Sequence, residues 1–337
     1  MKVYEIRETK GIESLVIVER AAPKAGPGQV LIRVHAASLN YRDLLIVRGQ
    51  YMRGLKLPLI PLSDGAGEIV ETGSGVTRVK VGDRVAGIFM QGWLSGDVSA
   101  YHAQGALGGA LDGMLAEYVV LHEDGVVHIP SHLSYVEAAT LPCAAVTAWN
   151  ALTDWVLKPG IRVLAQGTGG VSIFALQFAE MAGAGVIVTS SSDDKLKKAA
   201  AMGAIGLINY RSTPDWDRRA LDLTDGTGVD HIIEVGGPGT LARSLNAVRV
   251  GGRVSLIGLL TGVQDVVNPM PILGKQIQVQ GIFVGSREMF EAMNRAIALH
   301  QLRPVIDRVF PFEEAREALR HLEMGAHFGK VVIRVSD

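Results

Sequence analysis

The chain has almost no cysteine. A single Cys, at 143, stands among 337 residues. That excludes an internal disulfide framework and every multi-cysteine zinc or iron–sulfur site. An excess of charge is also missing: 33 Lys and Arg stand against 34 Asp and Glu, a formal net charge of -1. Nothing in that balance recommends nucleic acid or an anionic membrane as partner. No stretch reaches the roughly 18 consecutive apolar residues of a membrane-spanning helix. The longest apolar run near the start, Leu15-Val-Ile-Val18, is too short for a secretory signal. The expectation is a soluble protein of a reducing compartment, the cytoplasm, with neither membrane nor nucleic-acid partner.

What the chain does have is glycine, 40 residues of 337, against an ordinary share of about 7%. These lack a G-X-Y period, so collagen is excluded. Apolar residues make up 48% and charged residues 20%, which is a globular balance. At ~150 residues per domain the length suggests about two domains.

The first third reads as short strands punctuated by glycine, the signature of a compact β-rich unit. Gln29–His35, Gly65–Glu71 and Val79–Val85 are its candidate strands. The segment Gln91–Gly113 is glycine-rich and weakly patterned, and reads as a long loop or flap carrying Trp93, Tyr101 and His102. After about residue 145 strands and helices alternate: Arg162–Gln166, Val171–Ala182, Val186–Thr189, Asp193–Met202, Gly206–Tyr210, His231–Val235 and Gly252–Gly258. Such alternation predicts a parallel sheet of βαβ units. Helices over Arg287–His300 and Phe312–Met324 and a strand over Lys330–Val335 close the chain.

Within the alternating region, Val163-Leu-Ala-Gln-Gly167-Thr168-Gly169-Gly170-Val171-Ser172 runs from a strand through a glycine turn into a helix. Gly167 suits the tight turn, and Gly169 lets the backbone approach a pyrophosphate. The free N–H groups at the helix start then face the phosphate. Ser172 replaces the third glycine of the motif with another small residue. An NAD-binding unit would place an acid near the end of the second strand, about 20 residues on. Here that strand ends in Ser190-Ser191-Ser192, with Lys195, Lys198, Tyr210 and Arg211 following. Hydroxyls flanked by cations favour a 2′-phosphate, hence NADP(H). Ser191-x-x-Asp194 also reads as a helix capping box, and both roles can coexist.

Taken together, these motifs resemble the medium-chain dehydrogenase/reductase superfamily, and within it the zinc-independent quinone oxidoreductase-like branch. The resemblance spans the chain: Ser38-Leu-Asn-Tyr-Arg-Asp43, Gly65-Ala-Gly-Glu-Ile-Val, Gly82-Asp-Arg-Val85, Gly113-Met-Leu-Ala-Glu-Tyr118, Leu141-Pro-Cys-Ala-Ala-Val-Thr-Ala-Trp149, the glycine loop and His327-Phe-Gly-Lys-Val-Val332. It implies an α/β protein: a GroES-like β-rich catalytic domain, residues 1–144 and 283–337, into which a Rossmann doubly wound parallel-sheet domain, residues 145–282, is inserted. It places the active site in the cleft and implies a homodimer.

In zinc-dependent relatives a Cys occupies the position that matches Asn40, and a His-Glu pair matches Ser63-Asp64. Only Cys143 keeps a soft donor at the third ligand position. One soft ligand cannot hold tetrahedral zinc, so the expectation is no metal, with Cys143 a small buried hydrophobe. Without a Lewis acid the chemistry narrows. Hydride addition to a quinone or an enone leaves a phenolate or enolate, which uncharged donors can stabilise, whereas an alkoxide asks for more.

Asn40 either donates its amide to a substrate carbonyl or satisfies a buried turn. Tyr51 matches a tyrosine near the substrate, or packs the loop; Tyr41 and Asp43 orient that loop. Thr147 matches a threonine facing the nicotinamide ring. Phe283-Val284-Gly285 matches the segment whose backbone contacts the carboxamide. Lys330 matches a cofactor-side lysine, or is a solvated strand-edge residue. The cofactor set is therefore Gly167, Thr168, Gly169, Gly170, Val171, Ser190, Ser191, Lys195, Tyr210, Phe283, Val284 and Lys330. No Ser/His/Asp or Cys/His arrangement suggests a hydrolase. The expected activity is NADPH-dependent reduction of a quinone or α,β-unsaturated carbonyl. The alternatives are a zinc-independent carbonyl reductase or alcohol dehydrogenase, and a non-catalytic NADPH-binding protein.

Overall fold

The computed structural model describes residues 1–51, 54–154 and 157–336. The chain divides into two compact units, Met1–Val146 with Gly285–Asp337, and Thr147–Val284. Among the described residues no helix is long and apolar enough to cross a membrane.

The first unit is built on strand Gln29–Ser38, whose run of Val30, Leu31, Ile32, Val34, Ala36 and Ala37 is buried. Such a run suits a strand covered on both faces. Asp64–Thr72 pairs along one side of it. On the other side Tyr118–His122 pairs its first half and Lys330–Arg334 its last residues. The sheet order is Ile306–Pro311, Lys330–Arg334, Gln29–Ser38, Asp64–Thr72, Arg84–Gly87, Val126–His128. The C-terminal strand therefore lies directly beside the end of Gln29–Ser38. Packing there is close: a Cβ on Gly67 would sit 2.0 Å from the Arg33 carbonyl oxygen.

Two expectations in this unit are corrected. Lys80–Asp83 is a turn rather than strand, because the Asp83 carboxylate accepts from the Lys80 N–H at 2.9 Å and strand begins only at Arg84. Gln91–Gly113 is not a loose flap. Trp93 is 4% exposed and Leu107 1%. The Trp93 and Leu94 carbonyls accept from Arg287 and Glu288, at the start of helix Arg287–His300.

The second unit is an all-parallel sheet in the order Gly206–Asn209, Gly185–Ser190, Arg162–Gln166, Val229–Glu234, Val248–Leu256, Gln278–Gly281. The first strand of this unit, Arg162–Gln166, is central and the order reverses between it and Val229–Glu234. That is the doubly wound arrangement, whose ligand crevice lies at the strands' C-terminal ends where the order reverses. Val163, Leu164, Ala165, Val186, Ile187, Ile232 and Ile233 are fully buried or nearly so, as a parallel sheet covered on both faces requires.

Candidate active site

At the end of Gln29–Ser38 the chain turns through Leu39 into helix Tyr41–Val47, with Asn40 as the N-cap. The turn is held from two directions. The Leu39 N–H and the Ser38 hydroxyl both donate to the Val331 carbonyl, at 3.0 and 3.1 Å. The Asn40 N–H donates to Asp43 Oδ2 at 2.8 Å, half of a capping box. Because Val331 follows Lys330, the same pairing delivers the lysine to Asn40. Lys330 Nζ donates to Leu39 O at 2.7 Å and to Asn40 Oδ1 at 2.6 Å, and lies 3.7 Å from Asp64 Oδ2. Lys330 is 3% exposed and Asp64 0%. Asp64 also accepts from the Ser63 hydroxyl at 2.7 Å and the Cys143 N–H at 3.3 Å.

An ammonium has donors only, so the amide atom facing it must be the oxygen. That fixes the other end of the Asn40 side chain. Nδ2 is buried with no hydrogen-bond partner among the described residues. On the same helix Arg42 donates to Leu107 O at 2.9 Å, lies 3.7 Å from Asp43 Oδ1, and sits 5.0 Å from the Tyr51 ring centre and 4.7 Å from that of Phe89. Burial pushes the Tyr51 phenol pKa up, which keeps it protonated, against a smaller opposing pull from Arg42. Burial also pushes Asp43 up to about 6, with Arg42 and the Asn40 N–H pulling the other way.

At the positions that the resemblance matches to zinc ligands, the side chains do not suit zinc. Asn40 Oδ1 and Asp64 already face an ammonium, which would repel a second cation. Burial, reinforced by the Asp64 charge, pushes the Cys143 thiol well above its ordinary pKa, away from the thiolate a metal needs. Among the described residues no three His, Cys, Asp or Glu side chains come together as a metal site.

In the second unit the dinucleotide motif keeps its expected setting. Gly167, at φ +73°, adopts the left-handed conformation that favours glycine and donates to Thr189 Oγ1 at 3.2 Å. Helix Gly170–Met181 starts after Gly169, which brings no side-chain cap, so its first N–H groups are left for a ligand. Ser172, in place of the third glycine, is buried and its hydroxyl donates to the Gln166 carbonyl at 2.5 Å, tying helix to strand. The turn thus fits a dinucleotide pyrophosphate.

At the end of the next strand Ser190 is buried, and its Oγ accepts from the Ser192 N–H at 3.3 Å. The helix cap is Ser192, not Ser191: Ser192 Oγ accepts from the Lys195 N–H at 3.4 Å. The expected box is one residue early because Ser191 remains in the turn, leaving its hydroxyl outside the cap. The Tyr210 N–H donates to Ser190 O at 3.0 Å, so half-exposed Tyr210 lies at the same sheet end as Ser190 and Ser191.

Thr147 is buried near the start of helix Val146–Thr153. Phe283 is half-exposed. Val284 holds φ +59°, and its carbonyl accepts from Asn150 Nδ2 at 2.7 Å. Lys330 is not the solvated strand-edge residue of the alternative reading: it is 3% exposed, with its ammonium held by Leu39, Asn40 and Asp64.

Sequence reasoning missed the Lys330–Asp64 pair, Asn150, and the Glu234 network. Glu234, fully buried, accepts from the Gly236 and Gly237 N–H groups, Thr240, Ser244 and Gln166 at the sheet's reversal point. Its one sequence signal is an acid at a strand end just before Gly236-Gly237.

The alcohol dehydrogenase GroES-like domain model matches residues 26–131, and the zinc-binding dehydrogenase model matches residues 170–298. A zinc-type alcohol dehydrogenase-like protein of Schizosaccharomyces pombe is 45% identical over 336 residues, covering 97% of each chain. A putative alcohol dehydrogenase of Sinorhizobium meliloti superposes with TM-score 0.91 at 44% identity, covering 99% of each chain. The quinone oxidoreductase of Coxiella burnetii superposes with TM-score 0.80 at 28% identity, again covering 99% of each.

Proposed function

Since this chain is an oxidoreductase of the medium-chain dehydrogenase/reductase superfamily, we propose that it is an NADPH-dependent, metal-free reductase of quinones or α,β-unsaturated carbonyls. One observation carries the reading: where zinc-dependent relatives hold a metal ligand, this chain buries the Asn40 amide with Nδ2 unpartnered among the described residues.

Gly167–Val171 hold the pyrophosphate, and Ser190, Ser191, Lys195 and Tyr210 take the 2′-phosphate. Thr147, Phe283 and Val284 line the nicotinamide, which when bound supplies a hydride to the substrate carbon. Asn40 Nδ2 donates to the substrate's carbonyl oxygen as negative charge builds there. A phenolate or enolate oxygen is weakly basic enough for that neutral donor. Tyr51, kept protonated by burial, presents a second neutral O–H, and the proton that completes the reduction comes from water or this side chain.

Alcohol dehydrogenase names among the relatives favour a second reading, reversible oxidation of simple alcohols. Assaying NADPH or NADH oxidation with p-benzoquinone, cyclohexenone and simple ketones, and NADP+ reduction with simple alcohols, separates the two. The proposal expects turnover with the first two acceptors and NADPH preferred. It also expects Lys195→Ala to raise KM for NADPH far more than for NADH. No rate with either acceptor, or alcohol oxidation as the dominant activity, contradicts it.

A further inference from the structure

We infer that Lys330 is a positioning residue for Asn40: its buried ammonium stands in for the missing metal cation by locking and polarising the amide that meets the substrate oxygen. The inference rests on the reading of Asn40 as the oxyanion donor.

A neutral amide has two ends of similar shape, and an Asn side chain free to flip would present oxygen to a developing oxyanion half the time. That orientation is repulsive. Lys330 removes the ambiguity, because Nζ at 2.6 Å from Oδ1 accepts nothing and can only be faced by oxygen. The lysine is itself fixed. Leu39 O takes one N–H at 2.7 Å and the fully buried Asp64 carboxylate lies 3.7 Å away. Leu39 is in turn bonded to Val331, next to the lysine. Flipping the amide would set Nδ2 against a buried cation and leave that cation short of an acceptor. A charge-assisted bond at Oδ1 also draws electron density from the amide nitrogen, which strengthens its N–H as a donor. Thus a positive charge that zinc-dependent relatives place on a metal acts here at one remove, through an amide.

The pairing was invisible in sequence, where Lys330 reads as a cofactor-side residue. The two roles predict different kinetics. A lysine acting through Asn40 changes kcat with acceptor and leaves KM for NADPH alone; a cofactor-side lysine does the reverse.

The experiment is a double-mutant cycle with NADPH and cyclohexenone, using Asn40→Ala, Lys330→Met and the double variant. Lys330→Gln is a second probe, because it is neutral yet still able to donate to Leu39 O. Loss of one preorganised donor costs about 100-fold in kcat. Lys330→Met and Lys330→Gln are expected to lose about 10-fold or more in kcat, with KM for NADPH unchanged. In the Asn40→Ala background neither is expected to lower kcat further. Lys330→Arg, which keeps a cation, restores part of the rate. Losses that multiply in the double variant, or a rise in KM for NADPH with kcat intact, overturn the positioning role. Should Lys330→Met not fold, the Lys330→Gln cycle decides on the same terms. Failure of the underlying reading looks different, for then Asn40→Ala alone retains the full rate.

Discussion

His231 shows what a buried polar side chain costs when it cannot take up a proton. It sits in the centre of the parallel sheet, with Nε2 2.8 Å from Ser255 Oγ. Burial, with Arg253 nearby, pushes its pKa down to about 3. In the unfolded chain the imidazole protonates near the ordinary histidine value of about 6.5. Below that pH the unfolded state binds a proton that the folded state refuses, so stability falls as pH drops from about 6.5 toward 3 and is unaffected above it. We predict that His231→Gln, which still reaches Ser255, resists acid better than the wild type. Relative to its value at neutral pH, its advantage in urea unfolding grows by about 3 kcal/mol at about pH 4. An advantage that stays constant over that range contradicts the account. The buried Lys330–Asp64 pair follows different rules, since each charge there answers the other and losing one partner is the costly event.

Strand Gln278–Gly281 ends the parallel sheet, paired among the described residues on one side only. An unpaired edge is an open template for another strand. In the segment that precedes it in the chain Val263, Val266, Met270 and Leu273 are all more than half exposed, apolar side chains of the kind that mark an interface. We predict a homodimer through this edge, read by light scattering on a size-exclusion column. Replacing Val266 and Leu273 by Asp shifts the mass toward one chain, and a wild-type monomer contradicts the prediction. This edge strand was not among the elements read from sequence; others were legible where hydrophobic runs and glycine agree. Arg162–Gln166 and Arg287–His300 fall on the expected residues, and the glycine turn lies between strand and helix as expected. Gln91–Gly113 was not legible, because its order comes from burying Trp93 and bonding to a distant helix end. The Ser192 cap was missed by one residue because three consecutive serines offer the same side chain.

For the whole molecule, the two-part organisation and the glycine turn between strand and helix could be read from the chain, while the charged centre could not. Lys330, Asn40 and Asp64 meet only because the C-terminal strand pairs beside Gln29–Ser38, with Asp64–Thr72 on the other side. No local pattern encodes that meeting. The family resemblance implies vacated ligand positions at Asn40 and Ser63-Asp64; the fold brings the Lys330 ammonium to Asn40 and Asp64. The central claim is that this charge arrangement, rather than a metal, serves the reduction. Its most direct test is the rate of NADPH oxidation with cyclohexenone, measured for protein dialysed exhaustively against a strong chelator and again after zinc is added back. The account predicts the same rate in both. A rate lost on chelation and restored by zinc would contradict it.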